Sequence, residues 1–179
     1  GNKKALIDTV NPGFEKELEE KISQVINPAE IDYVIMNHAE PDHAGSISHI
    51  MSINSKAKLI TTKQGAKLAQ RFHGVPEDRI KIVTDGETLS LGNKTRRFIE
   101  APMLHWPETM FTYLREDKIL FTCDFLGSHL AQSKLFAVDL KVYTSNKRYY
   151  AEIMMPFRTS IKQHLEKIKA IEIEIVAPS

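Results

Sequence analysis

Cysteine is almost absent. Cys123 stands alone among 179 residues, so no internal disulfide can form, which fits a reducing cytoplasm and excludes the disulfide-stapled secreted class. An excess of either charge is missing too. Lys and Arg number 24 against 23 Asp and Glu, a net charge of +1, so no nucleic-acid partner is expected. Lys94, Arg96 and Arg97 are the densest basic group and read as a solvated turn. No apolar run approaches the roughly 20 residues that cross a bilayer, so no membrane partner is expected. The chain also lacks a signal-peptide pattern, internal repeats, low-complexity tracts, an interdomain linker and a flavodoxin-type phosphate loop; Thr144-Ser145-Asn146 is too short for the last.

What is present is a globular composition, 42% hydrophobic, in a chain long enough for one sizeable core. Strand-like and helix-like patterns alternate at first. Strands are expected at 5–9, 31–37, 58–62 and 80–84, and helices at 14–26, 46–53 and 63–72. Residues 88–123 then change to short β-like runs with a hairpin turn at Arg115–Lys118, an antiparallel meander. A helical pattern returns over 146–169, interrupted at Pro156, and IEIEIV (171–176) closes as a strand. The pattern implies a single mixed α/β (α+β) domain over 1–179, with helices packed on sheets. Gly1 opens almost directly into a strand and the last strand stops near Ser179, so a fragment is expected.

NHAEPDHAGS (37–46) places His38, Glu40, Asp42 and His43 within six positions. His38, Glu40 and Asp42 stand at i, i+2 and i+4, and in an extended segment such side chains point one way. Pro41 disfavours helical backbone at Glu40. His43 breaks the alternation and can face a second position, so two adjacent metals suit the run better than one. The plain alternative is a polar strand-to-helix loop with Asp42 near a helix start. Two further residues stand at strand ends: His105, after RRFIEAP, and Asp124, after KILFTC, where a carboxylate can bridge two cations. Taken singly, they are equally well a satisfied loop histidine and a simple cap.

Taken in order, HAEPDH, LHWPETM, LFTCDFLGSHLA and RYYAEIMMPF resemble the flavodiiron proteins, the A-type flavoproteins, along nearly the whole chain. The resemblance implies a metallo-β-lactamase-like αβ/βα sandwich, incomplete here, that carries a non-haem di-iron site. His38, Glu40 and His105 would hold one iron, Asp42 and His43 the other, and Asp124 would bridge them. In hydrolases of that fold a histidine stands where this chain has Glu40. The exchange adds a hard anionic oxygen and shifts a zinc-type site towards iron. The family supplies a further histidine directly after an Ala-Pro-Ser, the tripeptide at 177–179 here. It also adds strands before Lys4 and a flavodoxin-like FMN domain. The resemblance further implies O2 or NO as substrate, a rubredoxin-like or flavin electron donor, and a head-to-tail homodimer. Two rival readings fit the same residues: a binuclear zinc hydrolase of the metallo-β-lactamase superfamily, and an inactive fragment lacking full metal ligation.

Other candidates weigh less. Trp106 and His129 stand close enough to proposed ligands to be pocket or outer-shell residues. His49 reads as packing or surface, His73 as a helix C-terminal cation, His164 as an exposed helix residue, and Cys123 as a buried strand residue.

Overall fold

The computed structural model describes residues 2–131, 134–137 and 139–179. In chain order, β1 (Ala5–Ile7) leads to α1 (Glu15–Ser23), and β2 (Tyr33–Ile35) to the single turn α2 (Pro41–Ala44) and to α3 (Ile47–Ile53). Next, β3 (Lys58–Thr61) leads to α4 (Lys63–His73), followed by β4 (Ile80–Ile82). The second half runs β5 (Thr88–Ser90), β6 (Thr95–Glu100), β7 (Met110–Leu114), β8 (Ile119–Cys123), α5 (Leu140–Tyr149), α6 (Arg158–Lys169) and β9 (Ile175–Pro178).

The first four strands form an all-parallel sheet in sequence order. Parallel neighbours need crossover connections, and helices supply them here. The second sheet has the order β5-β6-β7-β8-β9, antiparallel until β9 joins β8 in parallel. Alternation along the strands builds the layers. Val34 and Leu59 pack with Ile47 and Ile50 of α3 and Ala69 of α4. Ile35 and Ile60 face the other way, against Phe98 and Met110 of the second sheet. Ile99, Phe111 and Leu120 then pack with Ile161 and Ile168 of α6. The result is helix, sheet, sheet, helix: the αβ/βα sandwich.

Local chemistry explains the element ends. Thr62 caps α4 by accepting from Gly65 N–H at 3.0 Å, and Gly74 at φ 63° ends it in the left-handed conformation, which glycine adopts without steric cost. The hairpin turn at Arg115–Lys118 joins β7 to β8 as expected.

Five expectations change. The first helix stops at Ser23, and Phe14 and Val25 of its anticipated apolar face are exposed. The late helical region starts at Leu140, where Asp139 caps by accepting from Lys141 N–H, and it passes through a π turn (Tyr150–Met154) and a 3-10 turn (Met155–Phe157) at Pro156 before α6. The last strand begins at Ile175, because Ile171 and Ile173 pack into the cluster under α6 ahead of the ladder. His164 is buried, one turn from Ile161 on the inner face of α6, and donates from Nε2 to Pro102 O at 3.0 Å. Arg96 and Arg97 belong to β6 and not to a turn. Among the described residues no helix is long and apolar enough to cross a membrane.

Candidate metal centre

The site starts where β2 leaves the parallel sheet. Asn37 is pinned there by three bonds. Its N–H donates to Asp8 Oδ1 at 2.8 Å, its Oδ1 accepts from Thr112 Oγ1 at 2.7 Å, and its carbonyl accepts from Met110 N–H at 3.0 Å. His38 follows, fully buried. Glu40 keeps extended backbone, ψ 145°, as Pro41 requires, and Pro41 then opens the α2 turn in the first-turn position where a missing N–H costs nothing. This corrects the extended reading of 38–42: Glu40 stays beside His38, while Asp42, inside the turn, joins His43. Gly45 closes the motif. A Cβ there would lie 2.3 Å from Pro12 Cδ and 2.5 Å from Pro41 O, so this packing leaves room for no side chain.

Two groups of metal-binding atoms result. His38, Glu40, His105 and Asp124 form one; Asp42, His43 and Asp124 form the other; within each group the ligand atoms lie within 4.8 Å of one another. In the first, Glu40 Oε2 stands 3.2 Å from both His38 Nε2 and His105 Nε2. Asp124 Oδ2 stands 3.2 Å and 3.3 Å from the same two nitrogens. In the second, His43 Nε2 lies 3.0 Å from Asp124 Oδ1 and 3.5 Å from Asp42 Oδ2. The two oxygens of Asp124 therefore face different groups.

These spacings suit a cation. Ligands about 2.1 Å from a metal sit about 3.0–3.4 Å from one another in tetrahedral or octahedral arrangements. Asp124 Oδ2 is buried and makes no aligned hydrogen bond among the described residues, despite two imidazole nitrogens close by. A buried carboxylate oxygen without a hydrogen bond is costly unless something else neutralises it.

In the metal-free chain protons partly fill that role. Burial lowers the pKa of His38, but the Asp124 and Glu108 carboxylates beside it outweigh burial and carry it up to about 10. His43 is also raised: burial opposes, and Asp124 prevails. Burial would raise Asp124, yet His105, His38 and His43 hold it well below the usual carboxylate range. Burial pushes Asp8 up to about 6 against the opposing pull of His43.

The sequence profile of the ODP family beta lactamase matches residues 1–179. The chain belongs to that family. Among its relatives, a flavo-diiron protein of Clostridium acetobutylicum is 40% identical over 184 residues, covering 100% of this chain and 46% of that protein. A nitric oxide reductase of Moorella thermoacetica is 38% identical, covering 99% and 46%. The rubredoxin oxygen:oxidoreductase of Desulfovibrio gigas superposes with a TM-score of 0.95 at 31% identity, over 99% of this chain and 46% of its own. This ODP-family chain thus spans about half the length of the relatives it matches, along the metallo-β-lactamase-like part of flavodiiron proteins.

The remaining candidates fall around the two groups. Trp106 meets the His38 ring edge-on, centroids 5.1 Å apart and planes at 89°. His129 is exposed and belongs to neither group; its ring packs against Tyr149 at 4.8 Å. His49 bonds Glu19 at the surface, and His73, in the last turn of α4, donates to Ala39 O at 2.9 Å. Cys123 is buried, and burial pushes its thiol pKa up, which removes it as a nucleophile. Sequence reasoning missed Glu108 and Asp8. Glu108 accepts from His38 Nδ1–H at 2.8 Å with its side chain fully buried. In the sequence it is one of many glutamates, and Asp8 lies inside an apolar run.

Proposed function

We propose that this chain is the metal-bearing part of a flavodiiron oxidoreductase that reduces O2, NO or both. His38, Glu40, His105 and Asp124 would hold one iron, and Asp42, His43 and Asp124 the other. The observation that carries the reading is the split of Asp124, one carboxylate oxygen towards each group. The relatives bear names of both activities, so both substrates stay in the reading.

Bound as a ferrous pair, the metals would supply electrons to the diatomic substrate, four being needed to take O2 to water and two to couple NO into N2O. The chain's own residues do the rest. Asp124 sets the spacing of the two positions. Glu40, with Asp42 and Asp124, offsets the positive charge, and its hard oxygen favours iron. Trp106 covers the His38 ring and restricts water on that side. Burial first, then the nearby Asp124, push the Tyr149 hydroxyl above the usual phenol range, so it keeps its proton near the site. Electrons would come from FMN, supplied in turn by a rubredoxin-like donor. A head-to-tail homodimer in the cytoplasm is the assembly this reading favours.

The zinc-hydrolase alternative is separated by Glu40. Purified wild type and Glu40→His, loaded anaerobically with equal Fe(II) and Zn(II), should differ in retained metal. The iron-to-zinc ratio is expected to fall about tenfold in the variant, or ~1.4 kcal/mol of preference. An unchanged ratio would remove the case that Glu40 selects iron.

A further inference from the structure

We propose that Glu108 is the positioning residue for His38, holding the imidazole as its Nδ1–H tautomer with Nε2 turned to the metal. The inference rests on the di-iron reading above.

One oxygen of Glu108 fixes two things. Oε1 accepts from His38 Nδ1–H at 2.8 Å and from Ala39 N–H at 2.9 Å, so it anchors the ring and the backbone from which the ring hangs. The carbonyl of Ala39 accepts from His73 Nε2–H at 2.9 Å, so both polar groups of residue 39 are held. The support for Glu108 is itself rigid. Its main-chain carbonyl accepts from the Thr62 hydroxyl at 3.0 Å, the same hydroxyl that caps α4. Trp106, edge-on to His38, limits the swing of the ring. With Nδ1 committed to a carboxylate 70 residues away, only Nε2 can face Glu40 and Asp124. A carboxylate behind a ligand imidazole also makes that imidazole a stronger donor.

His43 provides the contrast. Its Nδ1 is buried and has no hydrogen-bond partner among the described residues. Of the two buried imidazoles at the site, one is clamped and the other is not. Loss of Glu108 should therefore weaken the first metal group and spare the second.

Two variants test this. Glu108→Gln keeps the shape and an acceptor oxygen; Glu108→Ala removes both. Fe(II) affinity at each position is read by chelator competition, and the His38 Nδ1–H proton is read by NMR with Zn(II) as a diamagnetic probe. Glu108→Gln is expected to weaken the first position about tenfold and Glu108→Ala about 100-fold, with the second unchanged. The Nδ1–H resonance should move upfield in the first variant and vanish by exchange in the second. If Glu108→Ala does not fold, Glu108→Gln alone decides. Unchanged affinity and resonance in Glu108→Gln overturn the proposal, as does equal weakening of both positions with the resonance in place. A wild-type chain that takes up neither metal overturns the di-iron reading and this inference with it.

Discussion

Asp124→Ala is expected to strip both metal positions together. Among the described residues no other belongs to both candidate groups. Each group loses an anionic ligand, and more than about 100-fold in affinity, ~2.7 kcal/mol, should disappear at each position, since even outer-shell losses cost 10–100-fold. Asp42→Ala makes the contrast. Asp42 is half exposed and belongs to one group only, so its loss should leave the His38 group loaded. Iron per chain after anaerobic equilibrium dialysis reads both outcomes. One iron held at wild-type affinity in Asp124→Ala would show that this carboxylate does not bridge.

Metal uptake should also depend steeply on pH. With its pKa carried up to about 10, His38 keeps a proton at neutral pH in the metal-free chain, and a cation must displace it. Affinity is expected to rise about tenfold per pH unit for each proton displaced, between about pH 7 and 9. Zn(II) added to a weakly buffered solution with a pH indicator should release about one proton per chain or more. Flat affinity with no release would mean that His38 is already neutral. The same shifts govern the stability of the metal-free fold. The folded pKa of His38 exceeds its ordinary 6.5, so its contribution is full below pH 6.5 and is lost as pH rises through about 10. Asp124 is depressed, so its contribution is present above its ordinary 3.8 and is lost as pH falls below that value.

The members of the two candidate groups were legible because their types crowd into a short run and stand at strand ends. His38, Glu40, Asp42 and His43 needed no fold to be noticed, but Pro41 was read only as keeping Glu40 extended, and the turn it opens, which takes Asp42 to the side of His43, was missed. The residues that orient them were not legible. Glu108 matters through a partner 70 positions away, and only the folded chain shows it buried against His38. Strand positions were read well where burial is one-sided or complete, as in Val34–Ile35 and Leu59–Ile60. The start of α5 was missed because Leu140 is exposed and offers no periodic core face; the cap at Asp139 was its real signal. His164 misled for the opposite reason. A polar letter on an inner helix face reads as solvent until its acceptor, Pro102 O, is known.

The seam between the two sheets has a kinetic meaning. His43 and Asp124 lie 81 residues apart in sequence, and closing so long a loop costs entropy that only the assembled sheets repay. The centre is therefore completed late, after the parallel and antiparallel halves have met. A cation held there would work as a latch: it would slow reopening and do little to hasten collapse. Four metal-binding side chains in one short run can still catch a stray ion in the unfolded chain. Any such capture subtracts from the stabilisation that the finished centre provides.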